Sequence, residues 1–285
     1  MAIVYALCCL GFAAVNDFLF KLFANGSEGS GGRRSCGRFV MLVGVVDTLF
    51  MASLLRGVPE HLVATLVWGV VSGVLSVASN ILVIESMRHQ SAGVSSTIFR
   101  LNLVLVVIGG CALFGEPVSV RLVLGALCAG MAIVAFLPPR TGGARSRRGF
   151  LMALAACVIR AAMSLSYNYA FRHGADLNAV TTLNGLCWVL GGLAFAVWQE
   201  RRLTPFNRQE LRMGLLSGAF VCGIIFFMAR MNACGDASVV NPIAQMSFLG
   251  TFLLSAIFLR QQETVTPRKL AALALGAIAI ALLAA

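Results

Sequence analysis

Residues 62–86 read LVATLVWGVVSGVLSVASNILVIES. The only charge in the stretch is Glu85, next to its end. About 20 mostly apolar residues carry a helix across the hydrocarbon core of a bilayer, so the segment predicts a transmembrane helix. Inside it lies Gly69-Val70-Val71-Ser72-Gly73. A shift of 145 residues lays these five on Gly214-Leu215-Leu216-Ser217-Gly218. One stretch therefore raises both expectations about the fold: membrane-spanning helices and an internal repeat.

Working outward, apolar runs between polar breaks give ten spans: 2–24, 39–55, 62–86, 92–114, 118–137, 149–171, 178–198, 211–233, 237–259 and 267–284. They consume most of the 285 residues, of which 59% are hydrophobic and 12% charged. Soluble domains carry roughly 25% charged residues, so no soluble domain is expected. The first run has no basic leader and holds Asn16, Asp17 and Lys21, so it reads as a helix and not a signal peptide. The net charge of +11 reads as basic loops on one membrane face rather than a nucleic-acid surface. Of nine cysteines, seven fall inside spans, and no pair has CxxC spacing. They read as small apolar residues; neither a metal site nor a cofactor is expected.

The repeat extends beyond residues 69–73. Ala92-Gly93-Val94 falls on Ala237-Ser238-Val239. Two residues out of step, Glu116-Pro117-Val118-Ser119-Val120-Arg121 falls on Glu263-Thr264-Val265-Thr266-Pro267-Arg268. The chain thus divides into repeat 1 (residues 1–137), a Pro/Gly/Arg linker (138–148) and repeat 2 (149–285). Five spans is an odd number, so the second repeat enters the membrane from the opposite face. Loop charge agrees. The side holding the 138–148 linker carries fifteen of the 22 Lys and Arg residues, among them Arg33, Arg34, Arg140, Arg145, Arg147, Arg148, Arg201 and Arg202. The side holding both termini carries four: Arg56, Arg121, Arg172 and Arg230. The positive-inside rule puts the linker in the cytoplasm and both termini outside. Basic and non-basic loops also exchange between the halves, as inverted repeats require. The expected location is the cell (inner) membrane, multi-pass.

Ionisable residues near the bilayer centre cost at least ~2.5–3.5 kcal/mol on insertion scales, so they face a cavity or a partner. Here they are Asp17, Lys21, Asp47, Arg100 and Arg160. Ser96 and Arg100 share a helix face. The 145-residue shift places Asn241 on Ser96 and Gln245 on Arg100, two polar stripes at equivalent positions near the midplane, where inverted-repeat transporters hold substrate. Arg160, Ser164, Tyr167 and Asn168 share a second face, Ser72, Ser76 and Asn80 a third, and Thr181, Asn184 and Trp188 a fourth. The candidate substrate residues are Arg100, Ser96, Asn241, Gln245, Tyr167, Asn168, Asn184, Trp188 and Asn80. Asp17 and Asp47 are the candidate coupling carboxylates. Lys21 and Arg160 are candidate charge partners: Lys21 of Asp17 as an i,i+4 pair, Arg160 of Asp47. That pairing leaves Arg100 alone and predicts an anionic ligand for it. Purely structural roles stay open for each, and Glu116 and Glu263 read as turn and cap residues.

Met87-Arg88-His89-Gln90-Ser91-Ala92-Gly93-Val94, then Phe114-Gly115-Glu116-Pro117, then Gly125 and Gly130 form a pattern. A second copy runs through Ala237-Ser238-Val239-Val240-Asn241-Pro242, Gln262-Glu263 and Gly276. With Asn16 and Lys21 in the first helix, the chain resembles the drug/metabolite transporter superfamily, EamA-like type, over nearly its whole length. Gln262-Glu263 in place of Gly-Glu, and Ala272 opposite Gly125, depart from the pattern. The resemblance implies an all-α membrane protein of ten helices around a central cavity, and export or exchange of small metabolites. It also implies cytoplasmic termini for many members, against the charge count.

No HExxH, GK[ST] or GxSxG occurs, so a zinc protease, an ATP-driven pump and a serine hydrolase are not expected. The expectation is a non-enzymatic secondary transporter of small anionic or zwitterionic metabolites. Its partners are the lipid bilayer, a small-molecule substrate, and a proton or counter-substrate; nucleic acid is excluded and a homodimer allowed. A non-transporting membrane subunit and a membrane-embedded lipid-modifying enzyme are the alternatives.

Overall fold

The computed structural model describes residues 1–25, 36–87, 98–135, 147–200, 208–258 and 266–284. Every regular element among them is a helix. In chain order they are α1 (Ala2–Asn25), α2 (Cys36–Ala52), α3 (Leu62–Met87), α4 (Asn102–Phe114), α5 (Val120–Ala135) and α6 (Arg147–Arg172). There follow α7 (Leu177–Glu200), α8 (Arg208–Cys234), α9 (Ala237–Gln245), α10 (Ser247–Phe258) and α11 (Pro267–Ala284). Among the described residues, six stretches are long and apolar enough to cross a membrane: Ala2–Leu19, Leu62–Ser86, Arg147–Arg172, Leu177–Gln199, Leu211–Cys234 and Ala237–Leu254. The sequence predicts ten. The other helices are shorter, and the predicted spans 92–114 and 118–137 run partly over residues outside the described set.

Side chains are distributed inside out relative to a water-soluble protein. Val63, Leu66, Val67, Val70 and Val74 of α3 are exposed, as are Val120, Val123, Leu127 and Met131 of α5. Apolar surface on this scale belongs against lipid. The interior holds Asp47, Asn102, Asn168, Asn184, Asn232 and Asn241 at 1% exposure or less.

The largest packing seams join one half of the chain to the other. α2 packs on α7, and α5 on α11. α3 packs on α6 and α7, while α8 packs on α1 and α2. α2 and α7 run antiparallel, touching at glycines: a Cβ on Gly44 would stand 2.7 Å from the Val189 nitrogen, and one on Gly192 2.6 Å from the Met41 nitrogen. Residues without side chains let the two backbones approach this closely.

Two rods are interrupted at corresponding places. At Leu101 the backbone tightens to i→i−3 bonds, Leu101 N to Ile98 O at 3.2 Å and Val104 N to Leu101 O at 3.1 Å. At Met246, 145 residues on, Met246 N bonds Ile243 O at 3.1 Å and Leu249 N bonds Met246 O at 3.0 Å. Pro242 lies within α9; the break falls one turn after it.

Candidate functional site

The break at Met246 changes what its neighbours can bind. In an uninterrupted α-helix, Leu249 N–H would bond the Gln245 carbonyl. It bonds Met246 instead, and Gln245 O accepts from Arg100 Nη1 at 3.0 Å. The same nitrogen donates to Ser247 Oγ at 2.7 Å. Arg100 Nη2 pairs with the Asp17 carboxylate of α1. The side chains are 12% and 34% exposed, so the pair is only partly closed to solvent. Arg100 therefore has partners, and Asp17 is taken by Arg100. The first corrects the expectation that Arg100 stands alone, because helical spacing weighs neighbours on one helix and this bond crosses two; the expected Asp17–Lys21 pair lies outside the described residues. The Lys21 side chain and Ser96 lie outside the described residues.

Arg160 is not paired with Asp47, a second correction. Its Nη1 lies 3.4 Å from the Met163 sulfur and its Nη2 3.7 Å from the Met228 sulfur. The Phe99 ring centroid is 6.0 Å from its guanidinium carbon. Its Nε is buried without an acceptor among the described residues. It lies close enough to Asp17 and Arg100 to feel both charges. Thioethers are weak acceptors, so this guanidinium has a soft, poorly compensated setting.

Asp47 lies where α2 meets α7 at Gly185. The Tyr167 hydroxyl accepts from Asn184 Nδ2 at 2.6 Å, and both residues are fully buried. One turn along α7, Trp188 Nε1 donates to Ser76 Oγ at 2.9 Å. Asn80 Nδ2 turns back on its own helix to Ser76 O at 2.9 Å.

Asn168 and Asn241 belong elsewhere. Asn168 Nδ2 donates to the carbonyls of Asn232 (3.1 Å) and Gly235 (3.2 Å). Asn241 Nδ2 donates to Asn232 Oδ1 at 2.9 Å and Ala237 O at 3.1 Å. These amides tie α6, α8 and α9 together. The structure gathers Arg100, Asp17, the Gln245 backbone and Arg160, sets Tyr167, Asn184 and Asp47 beside them, and uses Asn168 and Asn241 as braces.

Glu116 is a cap, as its position in the sequence suggests, but of a distant helix. Gly115, at φ 63°, turns the chain after α4, a conformation glycine adopts without strain. Glu116 then accepts from Ala237 N (3.0 Å) and Ser238 N (2.9 Å), the first residues of α9. Arg172 Nη2 binds the same carboxylate at 2.9 Å and Asp236 at 3.0 Å. A carboxylate at a helix N-terminus meets orphan N–H donors and the favourable end of the helix dipole.

Sequence reasoning missed Ser247, Met163, Met228 and Phe99. None is charged or part of a polar stripe; each matters through a neighbour only the fold supplies.

No family model matches the chain, and no curated protein matches it. A solved structure, the crystal structure of a protein, superposes on 99% of this chain and 95% of its own, with a TM-score of 0.78 at 18% identity. At that identity the likeness shows the fold alone.

Proposed function

We propose that the chain is a secondary transporter of the EamA-like type, with ten spans arranged as two inverted five-helix repeats. It moves small anionic or zwitterionic metabolites by alternating access. Support for the repeat comes from the matched breaks at Leu101 and Met246 and from the antiparallel α2–α7 seam.

The observation that carries the reading is Arg160, a sunken guanidinium held by two sulfurs and a ring, beside the Arg100–Asp17 pair. A carboxylate or phosphate would supply the acceptors it lacks. The anion-binding role expected of Arg100 thus passes to Arg160, and Asp17 is placed to take the amino group of a zwitterion. Arg100 binds Asp17 in its own half and Gln245 and Ser247 in the other. Rocking one half against the other must break or remake these bonds, so they act as the gate.

Counterflow in proteoliposomes against a pool of labelled carboxylates and phosphates tests this. The parental protein should exchange at least one anion, and Arg160→Gln, inserted at parental levels, should lose it. Absence of counterflow for every pool member, or full activity in Arg160→Gln, would overturn the reading.

A further inference from the structure

Asp47 is 1% exposed, and neither of its carboxylate oxygens has a hydrogen-bond partner among the described residues. Its carboxylate rests on α7 at Gly185, where an added Cβ would stand 2.9 Å from Oδ2. The adjacent residue, Asn184, spends its Nδ2 on Tyr167, and its own buried Oδ1 also lacks a partner. Tyr167 lies near enough to feel the Asp47 charge. All three orphan atoms are acceptors. Buried polar groups are rarely left unsatisfied. Water would supply donors but leave the charge; a bound cation answers both.

We propose that Asp47, with the oxygens of Asn184 and Tyr167, binds a monovalent cation, a proton or Na⁺. Its coupling role rests on the transporter reading; the binding itself does not. Asp47 is buried and Arg160 half-buried, charges of opposite sign with no ion pair between them, and Tyr167 feels both. With both sites empty the pair sums to zero, and with an anion at Arg160 and a cation at Asp47 it does so again. Loading either alone leaves a net charge in a low-dielectric interior, so each ligand favours the other.

The ionisable groups facing Asp47 are Tyr167 from α6 and Cys222 from α8. From α7 it meets Gly185, while Cys187 points to the Val70 carbonyl of α3. The one ionisable residue of α3, Glu85, accepts from Gln199. On α2 itself Arg38 is more than two turns away.

The test uses the full chain in lipid nanodiscs without substrate. Melting temperature is followed over a pH series at fixed ionic strength, in NaCl and in choline chloride. A ligand that binds only the folded state raises it. A proton site gives a rise as pH falls, equal in both salts; a Na⁺ site gives a rise that saturates with NaCl alone. Either response should vanish in Asp47→Asn. Asn184→Ala keeps the carboxylate and should shift the half-effect point roughly fivefold toward higher cation concentration, one hydrogen-bond partner's worth. If Asp47→Asn responds to pH and NaCl as the parent does, the inference falls, even where counterflow succeeds. If the Asp47-dependent response is present and no anion exchanges, the cation site stands and the transporter reading falls.

Discussion

Arg100 donates to the backbone carbonyl of Gln245, the residue that the 145-residue shift makes its counterpart in the second half of the chain. Two corresponding helices, each interrupted one residue later, meet through this bond. A polar connection at a shared break is inexpensive to remake, because the carbonyl is already released from its helix. On the proposed transporter reading, it is where the two halves separate and rejoin.

The ion pair beside that bond predicts a measurable coupling. Asp17→Asn and Arg100→Gln should each lower the melting temperature, and the double variant should lose less than the sum. Because the pair is partly open to solvent, a coupling of about 1–2 kcal/mol is expected, inside the range for residues in direct contact. A coupling indistinguishable from zero would mean the pair does not hold the helices together.

Gly185 lies where α7 meets Asp47 and Thr48, and an added Cβ would sit 2.6 Å from Thr48 Oγ1. Gly185→Ala should therefore destabilise by about 1–3 kcal/mol through overpacking. Gly11 of α1 has nothing within 4 Å of its Cβ position. Gly11→Ala should be neutral or stabilising by up to about 1 kcal/mol, as helix propensity dictates. Melting curves of the two variants, read side by side, check the seam; equal effects would count against it.

How much of this was legible in the sequence depends on the range of the interaction. Residues 62–86 announced an apolar helix, and composition and period needed no partner to say so. The shift that laid Gln245 on Arg100 anticipated two residues that do meet. Arg100 was read as standing alone, because i,i+4 spacing pointed Asp17 to Lys21, whereas the fold brings Arg100 to Asp17 from another helix. Arg160 and Asp47 sat at the middles of their spans and looked like partners; the fold sets Arg160 against Met163 and Met228 and Asp47 against Gly185 of α7. Depth along a helix can be read from sequence, but rotation about its axis within a bundle cannot. Asn241 shows the same limit: its stripe pointed to substrate, and its amide is spent on Asn232.

Glu116 ties the end of one half to the start of α9, and the tie is charged. Glu116→Gln keeps one oxygen but sets an NH2 group against an N–H or against Arg172. A loss of about 1–3 kcal/mol is expected, the cost of unsatisfied buried donors. Glu60→Gln, on an exposed residue, should stay within about 0.5 kcal/mol. Thermal denaturation in one detergent compares the two, and a Glu116→Gln protein as stable as Glu60→Gln would remove the cap from the account.

The last prediction concerns which face of the molecule meets the cytoplasm. At one end of the bundle α6 begins with Arg147 and Arg148, both exposed, beside Leu82 of α3. At the other end Arg172 is bound by Glu116 and Asp236. The chain termini lie at this second end: Ala2 packs at Gly235, and Leu283 at Gly125 near the start of α5. The fold therefore puts both ends of the described chain together and Arg147 and Arg148 opposite, so a single choice orients everything. The ten-span reading of the sequence assigns fifteen Lys and Arg residues to the linker side against four on the other, and on that reading they make the choice, since cationic loops resist translocation. A C-terminal fusion to a fluorescent protein should be dark and one to alkaline phosphatase active, with the reverse for fusions truncated within the 138–148 linker. A fluorescent C-terminus would turn the molecule over, place the basic linker outside, and show that loop charge does not govern this chain.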